Sequence, residues 1–277
     1  MRDSIGELLV VKIGGEVAGS SEARVLAKDL RILVEGGARV AIVHGGGPQA
    51  TELQKKLGLE TRQVAGRRVT DPATLDVIKM VVAGKLNVDL CAALVASGLA
   101  PIGLNGASGS MVRATRRPPK VYTGAGPDPI DLGLVGEVTG FNLELLALLW
   151  SHRYVPVIAC LGADAAGVVY NINADTVGNQ LAAALEADRL FLVTSTPGVL
   201  RDVNDPSSRL AQLTCSQARA AIAAGVVSGG MIAKLEEAME IVDQGVGTIH
   251  ILGKLGPGDL VRSVREPGSV GTTLVSG

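Results

Sequence analysis

Two lysines lie beside glycine pairs, a combination that suits a phosphate group. Lys12 precedes the pair at 14–15 near the end of an apolar run, and Lys234 follows the pair at 229–230 in the first turn of a predicted helix. A lysine in an apolar strand, or at a helix N-terminus, costs free energy unless an anion is near. Backbone N–H groups beside a cation favour phosphate binding. The alternative for Lys12 is an ammonium group that reaches water at the rim.

A glycine run, HGGGPQ, follows a second apolar run at residues 44–49. Three glycines let the backbone approach a ligand closely, and Pro48 fits the first turn of a helix, whose N-terminus favours anions. The chain contains no Walker sequence GxxxxGK[ST], and GxGxxG does not follow the first strand. His44 could act as a base, but a structural histidine in the turn is the better interpretation.

Two further motifs could hold a small carboxylate substrate. Arg68 lies in GRRVTD, and an arginine fork pairs well with a carboxylate, although paired arginines also occur on solvated surfaces. In NINAD, at 171–175, alternation places both asparagines on one face of a short strand, and Asp175 then opens a helix at 176–185. The alternative is that Asp175 serves only as a helix N-cap.

The apolar runs that carry these motifs alternate with helical patterns. Strands are predicted at 8–13, 40–43, 156–159, 189–193 and 248–252, with helices between them, one at 49–57. This alternation predicts an α/β fold with a mainly parallel sheet and helices on both faces. Residues 111–140, rich in proline and glycine, are predicted as hairpins and loops on the sheet rim. Ligands bind at the carboxyl ends of such strands, where the motifs lie.

Composition narrows the function classes. The 277 residues suit one large domain or two joined lobes, and a net charge of -1 gives no case for binding nucleic acid or an anionic membrane. No uncharged apolar run approaches the roughly 18 residues of a spanning helix, and residues 1–7 are no signal peptide. We therefore expect a cytoplasmic protein. The three cysteines, Cys91, Cys160 and Cys215, are interpreted as buried or idle thiols in a reducing cytosol.

Five motifs, distributed over essentially the whole chain, resemble those of the amino acid kinase family in type and order. They are KIGG, HGGGPQ, GRRVTD, NINAD and GGMIAK. The similarity is greatest to members that phosphorylate N-acetyl-L-glutamate. The resemblance implies a three-layer αβα sandwich around a mainly parallel sheet. Residues 1–175 would bind N-acetyl-L-glutamate and dimerise, and residues 176–277 would bind ATP. The implied reaction transfers the γ-phosphoryl of ATP to the side-chain carboxylate, giving N-acetyl-L-glutamyl 5-phosphate in arginine biosynthesis.

The resemblance also implies roles for individual residues. Lys12 and Lys234 would stabilise the transferred phosphoryl, and Asp175 would hold both lysines in place. The substrate-binding residues would be Gly46, Gly47, Arg68 and Asn171, with Arg68 on the α-carboxylate. The ATP-binding residues would be Gly14, Gly15, Asn173, Ser195, Thr196, Pro197, Gly198, Val199, Leu200, Val226, Val227 and Ser228. Mg²⁺ would be bound through the nucleotide phosphates, with no protein ligand. No general base is needed, because a carboxylate is already ionised at neutral pH.

Two features depart from the family pattern. Ser195 stands where members usually carry an aspartate, which puts nucleotide affinity and metal support in question. Seven residues precede Leu8, too few for the additional N-terminal helix of arginine-inhibited hexamers, and residues 266–269 differ from the usual arginine-site pattern. The resemblance therefore implies a homodimer without hexamer-based arginine control. Some members bind a PII signalling protein, but no motif here indicates such a surface.

Three alternatives remain open at this level. One is a sister kinase whose acceptor is aminoadipate or glutamate linked to a carrier. A second is a family member acting on carbamate, aspartate, glutamate or UMP, although these match fewer of the motifs. A third is a binding or regulatory protein that has lost catalysis. Ser195 alone favours the third alternative, because both lysines are present.

Overall fold

An eight-stranded sheet forms the centre of the computed structural model, which describes residues 6–122, 124–227 and 229–277. In spatial order the strands are β12 (Gln212–Thr214), β14 (Thr272–Val275), β13 (Thr248–Leu252), β11 (Arg189–Val193), β1 (Leu8–Ile13), β2 (Arg39–His44), β8 (Val155–Ala159) and β5 (Pro101–Leu104). Neighbouring strands in this sheet are parallel, except that β13 and β14 are antiparallel. The predicted mainly parallel sheet is confirmed, with β2 and β8 slightly longer than predicted.

Helices cover both faces of this sheet because its central strands are buried on both sides. In β1, Leu8 and Val10 join one core cluster, whereas Leu9, Val11 and Ile13 join the other. The helices that contribute side chains to the Leu9 cluster are α1 (Gly15–Ala18), α2 (Glu22–Glu35), α5 (Asn87–Ala96) and α10 (Asp259–Arg265). Those of the Leu8 cluster are α3 (Gly47–Lys56), α4 (Pro72–Ile78), α6 (Leu143–Ser151), α7 (Ala174–Ala184), α8 (Cys215–Ala223) and α9 (Gly230–Asp243). The resulting three layers confirm the predicted αβα sandwich.

Smaller sheets lie beside the central one. One has the order β10 (Val169–Asn171), β9 (Leu161–Ala163), β6 (Val112–Arg116) and β7 (Gly136–Phe141), and the other is the hairpin β3 (Gln63–Val64) and β4 (Arg67–Arg68). Strands β6 and β7 are antiparallel, as the prediction of hairpins within 111–140 requires. A π-helix (Lys79–Leu86) and 3₁₀ turns (Ser108–Ser110 and Pro206–Ser208) complete these elements. Among the described residues, no helix combines the length and apolarity needed to cross a membrane.

Two helix starts differ from their predicted positions. Helix α7 begins at Ala174, and its N-cap is Asn173, whose side chain accepts the Asp175 N–H at 2.9 Å. Asp175 therefore lies in the first turn and is not the N-cap. Helix α9 begins at Gly230, so Lys234 is its fifth residue and lies just beyond the first turn. The predicted dipole penalty on Lys234 is correspondingly weaker, because the dipole effect is concentrated in that turn.

Candidate active site

A pocket of about 650 Å³ opens at the carboxyl ends of β1 and β2. We call it the Lys12 pocket. Its lining includes eight residues that the sequence singled out: Lys12, Gly14, Gly15, Gly46, Gly47, Arg68, Asn171 and Asn173. All four residues predicted to bind the acceptor are among them. Gly14, Gly15 and Asn173 had been assigned to ATP, and the structure places them in this same pocket.

An ion pair joins Lys12 to Asp175 at the base of α7. The Lys12 Nζ lies 2.6 Å from Asp175 Oδ1, and the two side chains are 8% and 27% exposed. Strand alternation directs Lys12 towards α7, where Gly178 faces the lysine stem. A Cβ on Gly178 would lie 3.0 Å from the Lys12 Cβ, so the glycine provides the space for the lysine. The pairing offsets the free-energy cost of a cation in this buried strand.

The two glycine loops pack directly against each other. A Cβ on Gly15 would lie 2.7 Å from the Gly46 Cα, a distance that real Cβ contacts do not reach. Gln49 secures the contact, because its Nε2 donates a hydrogen bond to the Gly15 carbonyl at 2.8 Å. Gly47 differs from both, since a Cβ there would meet no heavy atom within 4 Å. Gly15 and Gly46 are thus needed for packing, and Gly47 has open space before it.

Substituting Gly46 with alanine should destabilise the fold. The new Cβ would lie 2.5 Å from Leu86 Cδ1 and 2.9 Å from Val82 Cγ2, so these two buried side chains, or the helix that carries them, must shift. We expect a loss of about 1–3 kcal/mol of unfolding free energy, as for other overpacked sites. Urea unfolding compares this variant with Gly47→Ala, which should unfold like the wild type. Equal losses in the two variants would contradict the packing role of Gly46.

Arg68 is held in one orientation by helix α3. Its Nη2 donates hydrogen bonds to the Gly47 carbonyl at 3.0 Å and to Thr51 Oγ1 at 2.7 Å. Its Nη1 donates to the side-chain oxygen of Gln54. Partial burial lowers the pKa of Arg68 from its ordinary value, but a guanidinium remains charged in proteins. Arg68 therefore presents a fixed positive charge to the pocket.

The two asparagines of the NINAD motif have separate tasks. Asn171 ends β10, and its Nδ2 donates to Thr70 Oγ1 at 3.1 Å. Asn173 lies beyond the strand and caps α7, so the two residues do not share a strand as predicted. Both line the Lys12 pocket. Strand pairing ends at Asn171, and Asn173, whose backbone is still extended as is usual for an N-cap, turns its side chain to the first N–H groups of α7.

A second pocket, of about 750 Å³, surrounds Lys234 and is called the Lys234 pocket. The Lys234 Nζ donates a hydrogen bond to Thr194 Oγ1 at 3.1 Å. The residues predicted for ATP that line it are Ser195, Thr196, Gly198, Leu200, Val226 and Val227. Pro197 and Val199 are not among its lining residues. Val199 is buried, and its N–H donates to Thr272 Oγ1 at 2.8 Å. Ser228, also predicted here, lies outside the described residues.

The two pockets are neighbours. Strands β1 and β11 pair in parallel, with Ile13 opposite Val193, so the segments that follow them emerge side by side. Helix α9 borders both pockets, because Lys234 lines one and Glu237 lines the other. The two pockets therefore adjoin along α9 and the ends of β1 and β11.

The sequence reasoning missed three charged residues of the Lys12 pocket, namely Arg67, Arg117 and Glu237. Glu237 lies three residues after Lys234, so helical spacing places the two side chains on one face. That spacing was the available signal. Partial desolvation of the Glu237 carboxyl at the pocket rim raises its pKa, the charges of Asp175 and Glu240 add to the rise, and those of Lys234 and Arg67 oppose it. The rise in pKa marks a carboxyl group that is partly shielded from water and lies near other negative charges.

Two other titratable groups near the site are neutral at pH 7. Burial lowers the pKa of His44 to about 4, and its Nε2 lies 3.0 Å from the Asn87 amide nitrogen. His44 is fully buried and does not line the Lys12 pocket, which agrees with a structural histidine. Burial raises the pKa of Cys160, which lines the pocket, to about 12. Neither group offers a base or a thiolate to a ligand.

All three cysteines are free thiols, and Cys160 and Cys215 are buried, as predicted. In the stretches 6–122, 124–227 and 229–277, no three His, Cys, Asp or Glu side chains are grouped closely enough to hold a metal ion.

The fold and the paired pockets agree with the comparisons to known proteins. The sequence model of the Amino acid kinase family matches residues 7–253, and the chain belongs to this family. The chain is 64% identical over 266 residues to the acetylglutamate kinase of Anaeromyxobacter dehalogenans (strain 2CP-C), an alignment that covers 96% of this chain and 98% of that relative. It is 61% identical over 267 residues to the acetylglutamate kinase of Sorangium cellulosum (strain So ce56), covering 96% and 94%.

A solved structure shares the fold. N-acetylglutamate synthase from Neisseria gonorrhoeae, complexed with coenzyme A and N-acetyl-glutamate, matches with a TM-score of 0.83 at 23% identity. The match covers 100% of this chain and 61% of that chain. At this identity, the likeness shows the fold alone.

Proposed function

We propose that this protein transfers the γ-phosphoryl of ATP to the side-chain carboxylate of N-acetyl-L-glutamate. The product, N-acetyl-L-glutamyl 5-phosphate, belongs to arginine biosynthesis. The high identity to acetylglutamate kinases over almost the whole chain supports this assignment. The observation in the structure that carries it is the pair of adjoining pockets, each with one lysine, at the ends of neighbouring strands.

The acceptor is assigned to the Lys12 pocket. N-acetyl-L-glutamate carries two carboxylates, and the fixed guanidinium of Arg68 suits the α-carboxylate. Asn171, and the backbone of Gly46 and Gly47, would contact the remaining polar atoms. The side-chain carboxylate would then point towards Lys12. The 650 Å³ of space leaves room for the acetyl group.

MgATP, as the second substrate, is assigned to the Lys234 pocket, with its phosphates directed to the glycines at 14–15. A carboxylate oxygen of the acceptor attacks the γ-phosphorus, and the bond from that phosphorus to the β,γ-bridging oxygen breaks, so that ADP leaves. Lys12 and Lys234 approach the transferred group from two sides and stabilise its equatorial oxygens. No proton needs to be removed, since the acceptor carboxylate is already ionised. The neutral states of His44 and Cys160 are compatible with that chemistry.

Asp175 is proposed to position the lysines. In the structure it pairs with Lys12, whereas Lys234 donates its hydrogen bond to Thr194. Contact between Asp175 and Lys234 therefore stays a prediction for the complex with nucleotide. Ser195 lines the nucleotide side, and we infer that its hydroxyl takes a place that other members give to a carboxylate.

We also propose the division into an acceptor-binding lobe at 1–175 and a nucleotide-binding lobe at 176–277. A homodimer through the first lobe is supported by two features. Strand β5 is an edge of the eight-stranded sheet. Next to it, Val88 and Val95 of α5 are 63% and 61% exposed, and Met80 in the preceding π-helix is 53% exposed. An open strand edge and apolar side chains favour pairing with a second chain. The free thiols support a reducing cytoplasm as the location.

The acceptor assignment can be tested by ADP release from ATP. The substrates to compare are N-acetyl-L-glutamate, L-glutamate, L-aspartate and N-acetyl-L-aminoadipate. We expect robust turnover with the first alone. L-glutamate and L-aspartate lack the acetyl group, and the additional methylene of N-acetyl-L-aminoadipate would displace its side-chain carboxylate from the position beside Lys12 when Arg68 holds the α-carboxylate. Absence of turnover with all four, despite measurable ATP binding, would overturn the assignment. Such a result would point to a carrier-linked acceptor or a regulatory role.

A further inference from the structure

Two side chains of opposite charge line the Lys12 pocket from different lobes without forming an ion pair. Arg67 belongs to strand β4 of the hairpin, and Glu237 belongs to helix α9. Both residues are exposed, which places them at the rim of the pocket. Within the described chain, neither takes part in a salt bridge. Each charge therefore remains available to the other.

The present contacts of the two side chains are weak. Arg67 Nη1 donates to the Ala65 carbonyl at 3.3 Å, and its guanidinium carbon lies 4.9 Å from the centre of the Tyr122 ring. Glu237 Oε2 accepts a long hydrogen bond, 3.4 Å from Asn179 Nδ2. The Asn179 Oδ1 is buried without a hydrogen-bond partner, so this asparagine is not fixed at its other end. Little free energy would be lost if Arg67 and Glu237 exchanged these contacts for each other.

The two charges already influence each other across the pocket. Arg67 lowers the pKa of Glu237, against the rise that burial and Asp175 produce. An unpaired Glu237 would also repel an anionic acceptor, because like charges brought together at a binding site cost free energy. Pairing with Arg67 would cancel that repulsion. Since Arg68 is available to hold the ligand carboxylate, Arg67 can neutralise Glu237 when the acceptor adds further negative charge to the pocket.

The positions of the two residues connect the acceptor to the nucleotide side. Arg67 adjoins Arg68, which α3 holds in place. Glu237 lies on the same face of α9 as Lys234, three residues earlier. A bond between Arg67 and Glu237 would therefore connect the acceptor-binding hairpin to the helix that carries Lys234.

We propose that Arg67 and Glu237 form an ion pair across the rim of the Lys12 pocket when the acceptor binds, and that this pair positions Lys234. Both are positioning residues, since they act through Lys234 and through the closed pocket. The inference rests on the proposed function, because it takes N-acetyl-L-glutamate as the acceptor. Beyond that function, it proposes an electrostatic contact between the two lobes.

Charge reversal provides the test. Steady-state kinetics would compare the wild type with Arg67→Glu, Glu237→Arg and the double variant, at low and at high salt. At low salt we expect each single reversal to lower kcat/KM for the acceptor about tenfold. The double variant, which restores opposite charges, should return to within about threefold of the wild type. High salt should shrink these differences, since the rim is open to solvent.

Matched controls exist beside the hairpin and on α9. Arg62→Glu, just before the hairpin, and Glu236→Arg, beside Glu237 on α9, change the same charges at residues that do not line the pocket. Both should stay within about twofold of the wild type, as expected for surface substitutions. If a charge-reversed variant fails to fold, a double-mutant cycle with uncharged glutamine replaces it. This cycle compares Arg67→Gln, Glu237→Gln and the double variant, and it measures the interaction energy between the two residues.

The outcomes separate this inference from the proposed function. If the kcat/KM losses of the two single reversals multiply in the double variant, the opposite charges do not act as a pair. That result would overturn the ion pair even if the wild type is fully active. Equal losses in the two controls would overturn it as well, because the effect would then follow net charge alone. A wild type without activity on N-acetyl-L-glutamate would instead overturn the proposed function.

Discussion

Replacing Lys12 with methionine is expected to lower kcat by roughly 10²–10³, the loss that follows removal of one preorganised group that stabilises a transition state. Lys12 is the buried cation of the Lys12 pocket, and its ammonium pairs with Asp175 at 2.6 Å. Methionine retains most of the side-chain volume beside Gly178, so the change removes the charge with little change in packing. The measurement is kcat and the KM of each substrate, obtained by varying one substrate while the other is saturating. The matched control is Lys85→Met, an exposed lysine on the surface.

The same variant should also lose stability, because Asp175 is left without its partner. We expect about 1–3 kcal/mol, less than for a fully buried pair, since Asp175 is 27% exposed. Adding Asp175→Asn removes the unpaired charge and should recover much of that stability without recovering activity. If stability and activity return together in the double variant, the role of Lys12 is structural. Thermal unfolding of all three proteins separates the two cases.

Replacing Lys234 with methionine should lower kcat by a similar factor, roughly 10²–10³, but leave the unfolding midpoint unchanged. Lys234 is only half-buried, and its described hydrogen bond is to the Thr194 hydroxyl at 3.1 Å. Its removal therefore leaves no buried charge unpaired. The proposed contact with the phosphoryl strengthens in the transition state, so kcat should fall more than KM for ATP rises.

Kinetics with varied MgATP would test this second variant against Lys254→Met, a lysine that is 83% exposed in the same lobe. A rise in KM for ATP with an unchanged kcat would contradict the role in phosphoryl transfer. Lys234 would then contribute to ground-state binding of the nucleotide alone.

Much of the architecture was predictable because hydrophobic periodicity reports local structure. Strands 8–13, 189–193 and 248–252 were predicted with their observed bounds, since continuous aliphatic runs occur where a strand is buried on both faces. The errors lie at element ends. Asn173, not Asp175, caps α7, because both residues are good caps and only the packing of the chain selects between them.

The functional residues divide in a similar way. Lys12, Arg68 and Asn171 could be named in advance because their motifs end strands or follow them, and the carboxyl ends of parallel strands share one edge of a sheet. Gly14, Gly15 and Asn173 line the Lys12 pocket, and their predicted contact with the nucleotide stays a prediction. A sequence motif does not predict which of two adjoining pockets its residues will line.

The sequence by itself therefore determined the α/β class, the mainly parallel sheet and the motifs that carry the proposed chemistry. These follow from periodicities and spacings within short segments. The tertiary structure set the contacts between distant side chains, such as Lys12 with Asp175 at 2.6 Å and Arg68 with Thr51 at 2.7 Å, and it placed Arg67 and Glu237 on the lining of one pocket. These contacts depend on how the helices pack on the sheet. At Gly178 and Gly46 the absence of a Cβ allows an approach that any larger residue would prevent. Local patterns contain no such distances, because each one is set by residues far apart in the chain.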